Sequence, residues 1–116
     1  MKIKKKKKLL IVTLGRLDWN IWKPILSKIK KNKNIHLNIL ATGMHYETKY
    51  GNSFREIIKD GFNIDYKIKQ SFRDSSPAGI TNQFSSYVAL SSNILRKKNI
   101  DYVFLIGDRF ESLAIA

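Results

Sequence analysis

The sequence predicts an α/β fold built on a parallel sheet, and three observations carry that reading. Strand-sized apolar runs alternate with segments of helical periodicity along the chain, the pattern of strands joined by right-handed helical crossovers. Two of the runs, 9–14 and 101–106, are nearly continuous in apolar residues and stop at a glycine, as strands buried on both faces do. The chain has 116 residues and no cysteine, so one domain with a small core and no disulfide is expected.

The elements follow in order. Residues 9–14 (Leu-Leu-Ile-Val-Thr-Leu) form the first strand and end at Gly15. Asp18 is placed to cap a helix in which Ile21, Trp22, Ile25, Leu26 and Ile29 recur at helical spacing. Pro24 is expected about one turn in, where a missing backbone donor costs little. Residues 35–41 alternate at their start and form a second strand, followed by a loop over 42–52. Phe54, Ile57 and Ile58 mark a short helix that Asp60-Gly61 ends, the glycine taking the left-handed cap. A third strand is expected over 62–68, then a polar loop over 69–79 with Ser-Ser-Pro-Ala-Gly turn chemistry. A long helix over 80–95 closes at Asn99, and 101–106 form the fourth strand. Asp108 opens a last run of helix formers, 110–116, with no C-cap signal. The chain is therefore expected to be truncated, with residues 1–8 a basic tail and 9–116 an incomplete Rossmann-like lobe.

The formal net charge is +13, which raises a nucleic-acid reading. The cations fall in a run at 4–8, at Lys28, Lys30, Lys31 and Lys33, and at Arg96, Lys97 and Lys98. The last two clusters sit at predicted helix ends, where cations complement the macrodipole. No zinc-finger spacing or RNA-recognition signature accompanies them, and Trp19 and Trp22 have the spacing of core residues. The expectation is a solvated basic surface, with no nucleic-acid partner and no membrane. No apolar run reaches the roughly 20 residues of a bilayer span. The short apolar stretch behind the basic start lacks a cleavage site, so a cytoplasmic protein is expected.

Ligands of open parallel sheets bind beyond the carboxyl ends of the strands. Three of those ends carry a glycine followed by ionisable groups: Gly15-Arg16-Leu17-Asp18, Thr42-Gly43-Met44-His45 and Gly107-Asp108-Arg109. Arg16 and Arg109 suit phosphate, Asp108 and Glu111 suit acid/base work, and His45 titrates near neutrality. Plainer readings stand beside these: Asp18 and Asp108 as helix caps, His45 as an exposed loop residue, Glu111 as a solvated helix residue, and His36 as a structural mid-strand residue. Gly-x-Gly-x-x-Gly and Walker loops are both missing, which disfavours dinucleotide and P-loop chemistry.

Four segments then carry a resemblance: Val-Thr-Leu-Gly-Arg-Leu-Asp-Trp at 12–19, Thr-Gly-Met-His at 42–45, Tyr-Gly-Asn-Ser at 50–53 and Gly-Asp-Arg-Phe-Glu at 107–111. In these the chain resembles the start of the hydrolysing UDP-N-acetylglucosamine 2-epimerases, the branch feeding sialic and legionaminic acid synthesis. The resemblance implies the N-terminal half of a two-lobed, GT-B-like fold with the active site between the lobes. It implies a UDP-sugar substrate that loses UDP across C1 and C2, water adding to the glycal to give N-acetylmannosamine or a related 2-epimeric sugar. No cofactor and no metal is implied. By position Arg16 and Asn20 would contact UDP, Arg109 the phosphates or sugar, with Glu111 beside it. Asp108 and His45 would be the catalytic residues, Asp108 in acid/base chemistry and His45 lining the sugar pocket. A homodimer is implied for the full-length protein. One carboxyl group cannot both take the C2 proton and protonate a leaving group opposite, so the chain alone is expected to be inactive. The alternatives are a GT-B glycosyltransferase lobe and a polyanion-binding module acting through lysines 4–8.

Overall fold

The computed structural model describes residues 6–47, 51–69, 76–107 and 109–116, with the side chain of Phe110 outside the description. The elements run β1 (Lys7–Thr13), α1 (Arg16–Ile29), β2 (Ile35–Thr42), a 3-10 turn (Gly43–Tyr46), α2 (Phe54–Lys59), β3 (Tyr66–Ile68), α3 (Pro77–Lys98), β4 (Tyr102–Phe104) and α4 (Phe110–Ile115). The four strands form one sheet in the order β3-β2-β1-β4, every pair parallel. The predicted fold class is the one observed.

Residue parity along β1 sorts the core into two layers. Leu9 and Ile11, with Ile39 and Ala41 of β2, pack under Trp19, Trp22 and Leu26 of α1 and Ile57 of α2. Leu10, Val12 and Leu14, with Leu40 and Ile68, pack against Tyr87 of α3 and Ala114 and Ile115 of α4. The apolar stretch Leu9–Val12 is thereby covered on both faces, which is why the sequence shows a continuous run there. Both tryptophans are core residues and satisfy their indole donors. Trp22 donates to the Val12 carbonyl (3.1 Å) and Trp19 to the Asp60 carboxylate (2.8 Å). That indole N–H, with Lys23 behind it, holds the Asp60 carboxyl below its ordinary range.

Several boundaries differ from those the sequence predicts. β1 starts at Lys7 and pairs Lys7 with Ile35 and Lys8 with His36, so two lysines assigned to the tail belong to the ladder. α1 starts at Arg16, which puts Pro24 more than two turns in, on the exposed side. Asp18 lies inside its first turn and reaches back to accept the Leu14 N–H (3.1 Å) rather than capping the helix. β3 starts at Tyr66 because the Asp65 carboxylate accepts the Ile39 N–H (2.8 Å), the place a strand carbonyl would take. α3 starts at Pro77, with the Ser76 hydroxyl accepting the Gly79 N–H (3.1 Å). The Ser-Pro pair is an N-cap followed by proline at the first helical position, not a turn. His36 is exposed rather than structural. The Asn99 and Gly61 caps are left-handed as expected, with φ of 52° and 90°.

β4 departs most. It is three residues long and stands at the sheet edge, with Tyr102 55% and Phe104 48% exposed. Both share the α1 side of the sheet with their partners Leu9 and Ile11. The expected burial on both faces is not met, because no strand among the described residues lies beyond it. No helix among the described residues is long and apolar enough to cross a membrane.

Candidate active-site rim at the switch point of the sheet

The chain turns from β1 to β2 by way of α1 on one face, and reaches β4 by way of α3 on the other. The reversal falls between β1 and β4, and the crevice beyond their carboxyl ends is where such folds place ligands. Short-range contacts fix the floor of this crevice. Met44 donates its N–H to the Leu14 carbonyl (2.8 Å), joining the ends of β1 and β2. Gly43 makes that approach possible: its φ is +61°, and a Cβ there would lie 2.9 Å from the Leu14 oxygen. Gly15 is equally confined, since a Cβ would meet the Met44 side chain at 3.2 Å.

Arg16 and Arg109 flank this floor. Arg16 is exposed, pairs through Nε with Glu56 of α2 (3.0 Å), and has Nη2 3.6 Å from where a Gly51 Cβ would stand. Arg109, also exposed, pairs through Nε with Glu111 (3.2 Å) and places Nη1 3.6 Å from the Met44 sulfur. Glu111 is only 5% exposed, so it is not the solvated helix residue of the plainer reading. Asp18 sits between the two sides. Burial raises its pKa, opposed by the Leu14 N–H and then by the positive charge of Arg109. Asn20 is exposed on α1, one turn beyond Arg16. Asp108 lies outside the described residues.

His45 is not on the rim. It is 0% exposed, with Nε2 2.8 Å from the Thr13 hydroxyl and Nδ1 2.9 Å from the Ser53 hydroxyl. The exposed-loop reading of this residue is therefore corrected. Desolvation lowers its pKa from 6.5 to about 4, against a smaller opposing contribution from Ser53. With both nitrogens engaged, the ring ties the end of β1 to the 3-10 turn and to the start of α2. It supports the loops that carry Arg16 and Met44 and offers no free nitrogen to a ligand.

Sequence reasoning gave no individual role to Thr13, Ser53, Met44 and Glu56, although the first three lie in the segments that carry the resemblance. A signal existed for two of them, since Ser53-x-x-Glu56 has capping-box spacing. The structure directs both side chains elsewhere, Ser53 to His45 and Glu56 to Arg16. Nothing in the sequence distinguishes Thr13 from its apolar neighbours until His45 is seen beside it.

Residues 27–116 match the family model described as UDP-N-acetylglucosamine 2-epimerase. The chain belongs to this family. Among curated relatives it is 29% identical over 110 residues to the polysialic acid biosynthesis protein P7 of Escherichia coli, covering 95% of this chain and 28% of that protein. It is likewise 29% identical over 110 residues to the hydrolysing UDP-N,N'-diacetylbacillosamine 2-epimerase of Legionella pneumophila, covering 95% of this chain and 29% of that one. Among solved structures, the UDP-GlcNAc 2-epimerase of Neisseria meningitidis, crystallised with UDP-GlcNAc, superposes with a TM-score of 0.76 at 17% identity. That match covers 93% of this chain and 28% of the Neisseria chain. A putative UDP-N-acetylglucosamine 2-epimerase from Listeria monocytogenes gives a TM-score of 0.72 at 15% identity, covering 95% of this chain and 26% of its own. At these identities the likeness concerns the fold. The chain spans under a third of the length of the relatives it matches.

Proposed function

We propose that this chain is the N-terminal part of a hydrolysing 2-epimerase acting on UDP-N-acetylglucosamine or a close 2-acetamido relative. In this reading the C2 proton is removed and the C1–O bond to UDP breaks. The electron pair of the C2–H bond forms the C1–C2 double bond, and UDP departs as the anion. Water then adds across the double bond, hydroxyl to C1 and proton to the opposite face of C2, giving the free 2-epimeric sugar.

The observation that carries the proposal is the crevice itself: two exposed arginines on either side of a glycine-lined floor at the switch point. Exposed ion pairs such as Arg16–Glu56 contribute about 0–1 kcal/mol, so an incoming phosphate can replace the carboxylate partner at little cost. Arg16, with Asn20 one turn above it, serves the UDP portion. Arg109, aimed by the buried Glu111, serves the phosphates or the sugar. Asp108, next to Arg109 in sequence, is assigned acid/base work. His45, given a place in the sugar pocket by the resemblance, acts here by holding the loops of that pocket. The full-length protein is proposed to be a cytoplasmic homodimer, and the 116-residue chain by itself to be inactive.

The test uses the longer gene product that carries these residues, incubated with UDP-N-acetylglucosamine in deuterated water and followed by proton NMR. Release of UDP with a manno-configured sugar deuterated at C2, abolished in Asp108→Asn and absent for the 116-residue chain, is expected. Transfer of the sugar to an acceptor with C2 retained would replace this reading with a glycosyltransferase. No UDP release from this substrate or its diacetylbacillosamine analogue would end the epimerase reading.

A further inference from the structure

The topology gathers cations at the end of the sheet opposite the crevice. In a parallel α/β unit every strand starts, and every crossover helix ends, at that pole. Three cationic segments meet there, and hydrogen bonds show them to be adjacent. Lys7 donates its N–H to the Asn34 carbonyl (3.0 Å), which joins the start of β1 to the turn carrying Lys31 and Lys33. Lys8 donates through Nζ to the Lys98 carbonyl (3.1 Å), and its N–H donates to the Asp101 carboxylate (2.7 Å). These two contacts join β1 to the end of α3. Lys6, Lys7, Lys31, Lys33, Arg96 and Lys97 are all exposed. None of them pairs with a carboxylate among the described residues. In sequence, Lys4 and Lys5 precede Lys6 directly.

The carboxylates at this pole do not neutralise the patch. Asp101, which accepts the Lys8 N–H, is one negative charge beside six exposed cations, and Asp60 is already paired with Lys23. Helix dipoles account for Arg96 and Lys97, which lie in the last turn of α3. They do not account for Lys6, Lys7, Lys31 and Lys33, which lie outside the helices.

We propose that this basic pole docks the protein on an anionic lipid surface, leaving the crevice at the other end facing the aqueous phase. The chemistry of the patch selects that partner. Its cations are lysines with one arginine, flexible hydrated point charges suited to diffuse attraction, whereas phosphate and base readout in nucleic acids favours the arginine fork. The exposed aromatic nearest this end, Tyr102, opens an edge strand and presents no row of rings on which bases could stack. The proposal revises the expectation that these residues only solvate the surface, and it does not depend on the epimerase chemistry.

The test is co-sedimentation of the 116-residue chain with phosphatidylglycerol-rich vesicles and with phosphatidylcholine vesicles. Binding to the first alone, lost when salt is raised to about 0.5 M, is expected. Each lysine near the surface is worth roughly fivefold in partitioning, so Lys33→Glu with Lys97→Glu should weaken binding by about 25-fold or more. Lys67→Glu with Lys69→Glu, the same charge change near the carboxyl end of β3, should weaken it by less than about fivefold. Fluorescence of the buried Trp19 and Trp22 verifies that each variant is folded. Equal losses in the two variants would show an effect of net charge and overturn the proposal. So would absence of vesicle binding, or duplex DNA or RNA displacing the protein from the vesicles at equal phosphate concentration.

Discussion

Acidification places its sharpest demand on His45. In the unfolded chain the imidazole takes a proton near its ordinary value of 6.5, whereas burial holds the folded value to about 4. Above 6.5 the ring is neutral in both states and stability does not depend on it. As pH falls from 6.5 toward 4, the unfolded chain binds the proton first, so unfolding is favoured progressively. At 1.36 kcal/mol per unit the full cost is about 3 kcal/mol, a large fraction of the 5–15 kcal/mol of a typical domain. Urea unfolding followed by tryptophan fluorescence, repeated across this range, measures it. His45→Gln provides the reference: an amide can bond to Thr13 and Ser53 but does not titrate. It should cost about 1–2 kcal/mol at neutral pH and remove about 3 kcal/mol of the acid-induced loss. The remaining slope belongs to the carboxylates. In a His36→Gln background a single imidazole signal remains, and NMR titration should find it protonating well below 6.5. Protonation near 6.5, or wild-type and His45→Gln stabilities that fall in parallel, would refute the buried tie between β1, the 3-10 turn and α2.

Two further predictions concern the crevice. Gly43→Ala combines a positive φ with a clash against the Leu14 oxygen. It should destabilise the fold by about 2 kcal/mol or more, measured by urea unfolding, with faster hydrogen exchange at the Met44 amide. Arg16→Ala removes only an exposed pair with Glu56, so stability should change by less than about 1 kcal/mol. Binding of UDP by the longer gene product, measured by calorimetry, should weaken about tenfold or more, and unchanged affinity would remove Arg16 from the site.

Much of the fold was legible because burial on both faces leaves a direct trace in composition. The run at 9–14 reads as a central strand, and it lies between β2 and β4. The run at 101–106 looks the same in sequence but ends as a three-residue edge strand. Its composition matches a buried strand, yet burial also requires a neighbouring strand, which no local pattern reveals. The misplaced starts of β3 and α3 share another cause. Asp65 and Ser76 each substitute a side-chain acceptor for a backbone one, so the ladder and the helix begin where the side chain permits. Of the site, the glycines and arginines at the strand ends were readable because the fold class says where strand ends converge. His45 was selected for the right neighbourhood but the wrong surroundings. A histidine after Thr-Gly-Met looks exposed in a loop until Thr13 and Ser53, far from each other in sequence, close on its two nitrogens.

The two-layered covering of β1 has a consequence for synthesis on the ribosome. The strand is made first, and α1 is complete by Ile29, so Leu9 and Ile11 acquire their cover early. Leu10, Val12 and Leu14 wait for α3, which ends at Lys98, and the clasp between Lys8 and Asp101 spans 93 residues. At elongation rates of about 5–20 residues per second, half of the central strand stays uncovered for roughly 4–17 s between Leu14 and Lys98. During that interval the even-numbered face of β1 is an apolar surface without its α3 cover, and Lys7 and Lys8 at its start are the charges nearest to it.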